Sequence, residues 1–91
     1  AKPEWWNDEG LKALSARVLR AAPNDEVANK MRAAVLCGIS GAAWEAGPRS
    51  AAEFKEAATY WERCAALSIA PALGASRADV ARWCRSQAAA M

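Results

Sequence analysis

The sequence contains no histidine, which removes the commonest general base, the Ser–His and Cys–His dyads and most zinc sites. Its three cysteines are far apart and form no Cys-x-x-Cys pair, so they indicate neither a metal site nor a small disulfide framework. The Gly38–Gly41 stretch lacks the preceding strand and the following lysine of a phosphate-binding loop. We therefore expect a protein that is not an enzyme, with no catalytic residue, no metal and no cofactor.

Strand-forming and membrane-spanning patterns are also scarce. Valine and isoleucine total six of 91 residues, and no stretch alternates apolar and polar residues over more than five positions. The longest uncharged stretches, Ala33–Trp44 and Cys64–Ser76, have twelve and thirteen residues, short of the roughly twenty that a membrane-crossing helix requires. The sequence therefore predicts an all-α fold without a membrane span.

The charge and cysteine counts bear on partner and compartment. Twelve basic and ten acidic residues give a net charge of +2, far from the one-sided charge of most nucleic-acid-binding surfaces. A protein or peptide partner, or a large complex, is therefore favoured over nucleic acid. The odd number of cysteines and the lack of a recognisable signal peptide favour an intracellular, reducing compartment, without distinguishing the cytoplasm from the interior of an organelle.

Turn-forming residues, among them Pro23, Gly47–Pro48 and the Pro71–Ser76 segment, divide the chain into four helical intervals, which we predict at about residues 8–22, 25–46, 51–69 and 77–89. Asn7 or Asp8 and Asn24 or Asp25 can cap the first two helices, Ser50 with Glu53 fits a capping box for the third, and Ser76 with Asp79 indicates a similar start for the fourth. Two glycines, at positions 38 and 41, fall inside the second interval. They indicate either close approach of another backbone or a break in the helix.

The apolar residues recur at helical spacing, so each helix should bury one face. The predicted buried faces hold Leu11, Leu14 and Val18 in the first helix and Val27, Met31 and Val35 in the second. In the third, small and large residues alternate on a face formed by Phe54, Ala57, Ala58, Trp61 and Cys64. Of the 49 residues counted as hydrophobic, 25 are alanine, which predicts a thin core with closely packed backbones. Short connections make consecutive helices antiparallel neighbours. We expect residues 1–91 to form one helical domain of four antiparallel helices stacked as α-hairpins.

Two segments resemble the tetratricopeptide repeat. Leu14–Asp25 is similar to the end of a repeat, where a helix closes with leucine, proline and then Asn/Asp. Phe54–Leu67 carries the Ala-x-x-x-aromatic pattern, as Ala57 and Trp61, followed by a small residue at Cys64. The resemblance implies a non-catalytic scaffold for protein–protein interaction, either as an array of its own or as a piece of a larger one. A generic small helical bundle is the alternative.

The resemblance also implies a binding groove, because the first helix of each pair lines the groove in that family. Here this helix carries Lys30, Ala34, Cys37 and Gly41, with Asn29 and Arg32 nearer the edges. Lys30, Asn29 and Arg32 are the predicted partner-binding residues of the groove. Their polar groups would hold the backbone or a carboxylate of a bound peptide.

Two further clusters are candidate sites. Trp5 and Trp6 precede the first helix and would anchor an interface if exposed; the alternative is that one of them folds back onto a helix. Arg77, Arg82 and Arg85 surround Trp83 on the last helix, a combination that suits phosphates or single-stranded bases, although such arginines are usually a solvated face.

These features lead to three functional hypotheses. The first is the tetratricopeptide-like interaction scaffold. The second is a structural accessory subunit ordered within a larger complex, organellar complexes included, and anchored by the two leading tryptophans. A helical nucleic-acid-binding module is the least favoured.

Overall fold

Four α-helices make up most of the chain in the computed structural model, which describes residues 3–38 and 47–91. They are α1 (Asp8–Ala21), α2 (Glu26–Cys37), α3 (Ala51–Leu67) and α4 (Pro71–Ala89). No strand occurs within the described ranges. The all-α prediction is confirmed, with consecutive helices packed against each other.

Side chains that accept from free backbone amides begin the first three helices, at positions the sequence indicates. Asn7 Oδ1 accepts from the Gly10 amide at 2.8 Å, and Asp25 Oδ2 accepts from the Ala28 amide at 2.9 Å. The Ser50 hydroxyl and the Glu53 carboxylate accept from each other's backbone amides at 3.1 and 2.9 Å. The predicted capping box is therefore formed.

The second helix ends earlier than the predicted boundary at residue 46. Cys37 is its last residue, and Gly38 follows in the left-handed conformation with φ of 73°. Only glycine adopts this conformation without a steric penalty, which makes it a common residue just after a helix. The break that the glycines indicated is thus found at Gly38, while the predicted continuation over residues 39–46 lies outside the described residues.

The fourth helix begins six residues before its predicted start at residue 77. Pro71 occupies the first turn, where a missing N–H costs nothing because that amide has no partner within the helix. Ser76 and Asp79 therefore lie inside the helix instead of capping it. Reading Pro71 only as a helix breaker was wrong.

Contacts near the helix ends establish the alternating direction of the helices. Arg49, just before α3, contacts Asp8 at the start of α1 and the Val35 carbonyl near the end of α2. Cys64, near the end of α3, contacts the Glu26 carbonyl at the start of α2. We call these two ends of the molecule the Arg49 end and the Arg77 end, after the buried arginine at each.

The core is centred on α3, which packs between α2 and α4. Its predicted small-and-large face is confirmed, since Ala57, Ala58, Trp61 and Cys64 are buried. Elsewhere the buried face is turned relative to the prediction. In α1, Ser15 and Leu19 are buried in place of Leu14 and Val18, and in α2 the predicted core residue Val27 is 68% exposed.

The interior is thin, as the composition predicts. Six buried hydrophobic residues in the described part of the chain are alanines and three are cysteines; the larger ones are Leu11, Leu19, Val35, Leu36 and Trp61. Small side chains allow the helix backbones to approach closely but bury little apolar area each.

Candidate interaction surface

The predicted groove residues have separate roles in the structure. Lys30 is exposed on α2. Asn29 is completely buried, and its Nδ2 donates to the carbonyls of Pro23, at 3.0 Å, and Asp25, at 2.8 Å. It therefore fastens the α1–α2 turn to α2. As a surface contact on the edge of a groove, Asn29 is misplaced.

Arg32 is also used within the molecule. Its Nη1 donates to the Lys12 carbonyl at 2.8 Å and to the Ser15 hydroxyl at 3.1 Å, which ties α2 to α1. These contacts also explain why a serine occupies the buried face of α1. Cys37, expected to line the groove, lies in the core with Cys84 of α4. The structure therefore does not bring the predicted groove residues together on one open face.

The two leading tryptophans lie beside the start of α1, at the Arg49 end. Trp5 is 48% exposed, Trp6 is partly buried, and their ring centroids are 5.6 Å apart. The Trp5 carbonyl lies so close to Gly10 that a Cβ on this residue would overlap the carbonyl oxygen. Glycine at position 10 is therefore required for the segment before α1 to lie against the first turn of that helix.

Each arginine of the predicted cationic cluster has a carboxylate partner. Arg77 is buried and pairs with Glu26 at 3.3 Å, while its Nη1 also donates to the Ser68 hydroxyl at 2.6 Å. Arg82 pairs with Asp79 in the preceding turn. Arg85 binds both carboxylate oxygens of Glu62, at 2.7 and 3.2 Å. The cluster therefore presents less free positive charge than its sequence indicates.

An apolar cluster that the sequence did not reveal lies at the Arg77 end. We define it as Val27, Leu67, Ile69 and Leu73, all exposed large hydrophobic residues. Ile69 is 97% exposed, at the centre of the α3–α4 turn. Exposed apolar residues are ordinary when single, but a group at one end of a small domain indicates a contact surface.

The turn that carries Ile69 is held firmly from both sides. The Ser68 hydroxyl donates to the Cys64 carbonyl at 2.7 Å and accepts from Arg77. Gly74, in the first turns of α4, lies so close to α3 that an added Cβ would be 3.2 Å from the Ala65 carbonyl oxygen. Ile69 is thus presented on a defined turn between two packed helices.

A cleft of about 230 Å³ lies next to this apolar cluster. We call it the Asn29 cleft; the described residues that line it are Pro23, Asn24, Asn29, Arg63, Ala66 and Leu67. The Arg63 guanidinium lies over the Tyr60 ring at 5.4 Å. Within the described residues, neither Arg63 nor Lys30 has an ion pair, so both are available to an acidic partner.

A second cleft, of about 420 Å³, lies on α4 and is lined by Ser76, Asp79, Val80 and Trp83. Trp83 packs edge-on against Phe54 of α3, with ring centroids 5.7 Å apart. This contact accounts for the partial exposure of Trp83: one side of the indole packs on α3 and the other remains open.

Burial suppresses the reactivity of the thiols. It raises the pKa of Cys64, and for Cys84 burial together with the adjacent Cys37 raises the pKa to about 12. A thiol with such a pKa is protonated at neutral pH and is a poor nucleophile. These cysteines act as small core residues.

The described residues contain no cluster of three or more His, Cys, Asp or Glu side chains suited to a metal ion. None of the helices in this part of the chain has the length and apolar character needed to cross a membrane. No protein-family model, curated protein or solved structure matches the chain.

Proposed function

We propose that this chain is a non-catalytic helical module that binds another protein through the apolar cluster at the Arg77 end. The observation that carries the proposal is the 97% exposure of Ile69 on an anchored turn, with three further large apolar side chains exposed at the same end. Aliphatic side chains presented on a rigid element are suited to binding, because little conformational entropy is lost when a partner covers them.

The helical-hairpin arrangement supports this function, and we propose that the hairpins are of the tetratricopeptide-like kind. Stacked antiparallel helix pairs are a common architecture for binding proteins and peptides. The binding surface we propose differs from the groove that the resemblance implies. It lies at the helix ends, because Asn29 and Arg32 are used inside the fold.

Replacing Ile69 by aspartate tests the proposal. Two variants of the full chain are used to capture proteins from the native extract. One carries Ile69→Asp, and the other carries Met91→Asp as a matched control. Both residues are exposed and apolar, but Met91 is the C-terminal residue at the opposite end. Captured proteins that the Ile69→Asp variant fails to bind and the Met91→Asp variant still binds are then purified and titrated against each variant.

We expect Ile69→Asp to weaken the purified complex by about 2 kcal/mol, or roughly thirtyfold, as for a central contact residue. Met91→Asp should leave the affinity unchanged. The proposal is wrong if the two variants retain the same partners with the same affinities.

The thin core favours a second candidate, the accessory subunit that is ordered by a larger complex. Alanine and cysteine make up most of the buried hydrophobic residues in the described ranges, which limits the stability that burial can provide. This candidate predicts that the isolated chain lacks a cooperative thermal transition and acquires one in the complex. A cooperative transition of the isolated chain would argue for an independent module.

A further inference from the structure

Asn29 has an unsatisfied hydrogen-bond acceptor in the wall of the Asn29 cleft. Its Nδ2 donates to two carbonyl oxygens, of Pro23 and Asp25. These partners fix the orientation of the amide, because a carbonyl oxygen can only accept. The remaining atom is therefore Oδ1, which is buried and has no partner among the described residues. Such buried groups are rare, and this one calls for a ligand that donates.

The charge around the cleft indicates what else the ligand carries. Arg63 lines the cleft and has no ion pair within the described residues, whereas the two acidic side chains at this end are engaged. Asp25 accepts from the Ala28 amide, and Glu26 pairs with the buried Arg77. Among the described residues that line the cleft, Arg63 is the one with a charged side chain, so the charge presented by the lining is positive and suits a carboxylate.

The volume restricts the ligand to a small one. At about 230 Å³, the cleft is smaller than the range of roughly 300–1,000 Å³ that is typical of sites for drug-sized ligands and cofactors. Ala66, Leu67 and Pro23 give it an apolar wall. A site of this size and lining suits one or two residues of a peptide.

We propose that the Asn29 cleft binds an aspartyl residue of a partner protein, followed in the partner by an apolar residue. The backbone N–H of the aspartyl residue donates to Asn29 Oδ1, its carboxylate pairs with Arg63, and the next side chain packs on Leu67. This inference rests on the proposed function, since it specifies the chemistry of the partner segment that lies beside the apolar cluster.

The test uses the capped tripeptide acetyl-Ala-Asp-Leu-amide and the full, ¹⁵N-labelled chain in a two-dimensional NMR titration to about 5 mM. We expect the Asn29 side-chain amide signals to shift together with the backbone amides of Ala66 and Leu67. Signals of Trp5 and Gly10, at the opposite end, should not move. The proposal is overturned if the cleft signals remain unchanged over the whole titration.

Methylated peptides isolate the predicted hydrogen bond without altering the buried Asn29. Methylation of the aspartyl nitrogen should weaken binding about tenfold, because Oδ1 loses its donor. Methylation of the leucyl nitrogen is the matched control and should have little effect. Equal binding of the two methylated peptides would contradict the role of Oδ1.

A pair of protein variants isolates the charge contact. Arg63→Glu should weaken binding of the tripeptide about tenfold, and Lys55→Glu, an exposed cation at the other end of α3, should leave it unchanged. Equal effects of the two variants would overturn the proposed contact with Arg63.

The outcomes separate this inference from the proposed function. If Ile69→Asp abolishes partner binding while the tripeptide shifts no cleft signal, the function stands and the aspartyl site is wrong. If the tripeptide binds as expected while Ile69→Asp keeps every partner, the cleft stands and the apolar cluster is not the binding surface.

Discussion

The two ends of the helix bundle each hold a buried arginine but expose different surfaces. At the Arg49 end, Arg49 binds both carboxylate oxygens of Asp8, at 2.9 and 2.5 Å, and Lys12 pairs with Glu53 at 2.7 Å. At the Arg77 end, the arginine is equally buried, but four aliphatic side chains are exposed around it, and Lys30 and Arg63 have no ion pair among the described residues. The Arg49 end thus pairs these charges within the fold and exposes Trp5 and Met91, whereas the Arg77 end exposes a group of aliphatic residues beside two cations.

The buried arginines and the exposed apolar residues have different roles, the first in the fold and the second on a surface open to a partner. Each buried arginine bonds a carbonyl in the last turn of a neighbouring helix, Val35 of α2 for Arg49 and Cys64 of α3 for Arg77, where positive charge stabilises the helix dipole. Burying a charged group indicates a structural contact, whereas exposing a large apolar one indicates a contact with something else. We therefore assign folding to the arginines and recognition to the apolar cluster.

The largest expected effect is that of Arg49→Met. The change removes the buried guanidinium from Asp8, which is only 19% exposed and keeps a longer contact with Lys12 at 3.5 Å, and it leaves the Val35 carbonyl without this donor. We expect a loss of about 3 kcal/mol in the free energy of unfolding, measured by urea denaturation followed by circular dichroism. Arg82→Met, at an exposed pair, is the control and should change it by less than about 0.5 kcal/mol.

Arg77→Met should have a smaller effect, about 2 kcal/mol, because Glu26 is 35% exposed and water can replace part of the lost contact. The variant also removes the donor to the Ser68 hydroxyl, so it loosens the turn that carries Ile69. Partner binding should weaken along with stability. If Arg77→Met were more destabilising than Arg49→Met in the same denaturation assay, the assignment of the stronger structural contact would be reversed.

Gly38→Ala should destabilise the protein by about 1 kcal/mol, because an alanine at φ of 73° is strained. Gly47→Ala is the matched control: among the described residues other than its chain neighbours, the atom nearest to an added Cβ there is Asp8 Oδ2 at 4.0 Å, so we expect no loss. Thermal unfolding of both variants measures the difference. Equal stabilities would show that Gly38 does not fix the end of α2.

The smallest effect is the pH dependence of the ion pair at the Arg49 end. Burial would raise the pKa of Glu53, but hydrogen bonds from Lys12 and Ser50 outweigh it, and the net pKa is below the ordinary value of 4.5. Its stabilising contribution is therefore present above about pH 4.5 and is lost as the pH falls through the lowered pKa.

Glu53→Gln isolates this contribution, because glutamine can keep the capping box while losing the charge. We expect a difference from the unmodified chain of roughly 0.5 kcal/mol at pH 7, which shrinks as the pH falls through the lowered pKa of Glu53. A difference that grows on acidification would contradict the assignment.

Local interactions account for the parts of the fold that the sequence predicted. The caps at Asn7, Asp25 and Ser50 depend on residues three positions apart, so they can be recognised without the tertiary structure. The helix boundaries at Gly38 and Pro71 were harder to predict from sequence, because glycine and proline can each either end a helix or lie within one. Tertiary packing decides between these roles.

The candidate site could not be predicted because its determinants are not local. Arg32 was assigned to a groove, but its partners Lys12 and Ser15 lie 20 and 17 residues away along the chain. Val27 continues the spacing of Met31 and Val35, so periodicity placed it in the core, whereas the neighbouring helices leave it exposed. The sequence did place Ile69 at the predicted end of the third helix, two residues before Pro71, but it did not indicate that this large apolar residue would be exposed in a turn.

Hydrogen exchange of the chain with and without its captured partner measures the contrast between the two ends most directly. The account predicts slower exchange on binding at residues 66–74, in the turn around Ile69, and unchanged exchange at residues 5–10, beside the two tryptophans. Protection confined to residues 5–10, with none at 66–74, would contradict the proposed role of the apolar cluster. It would instead identify the segment with Trp5 and Trp6 as the binding surface.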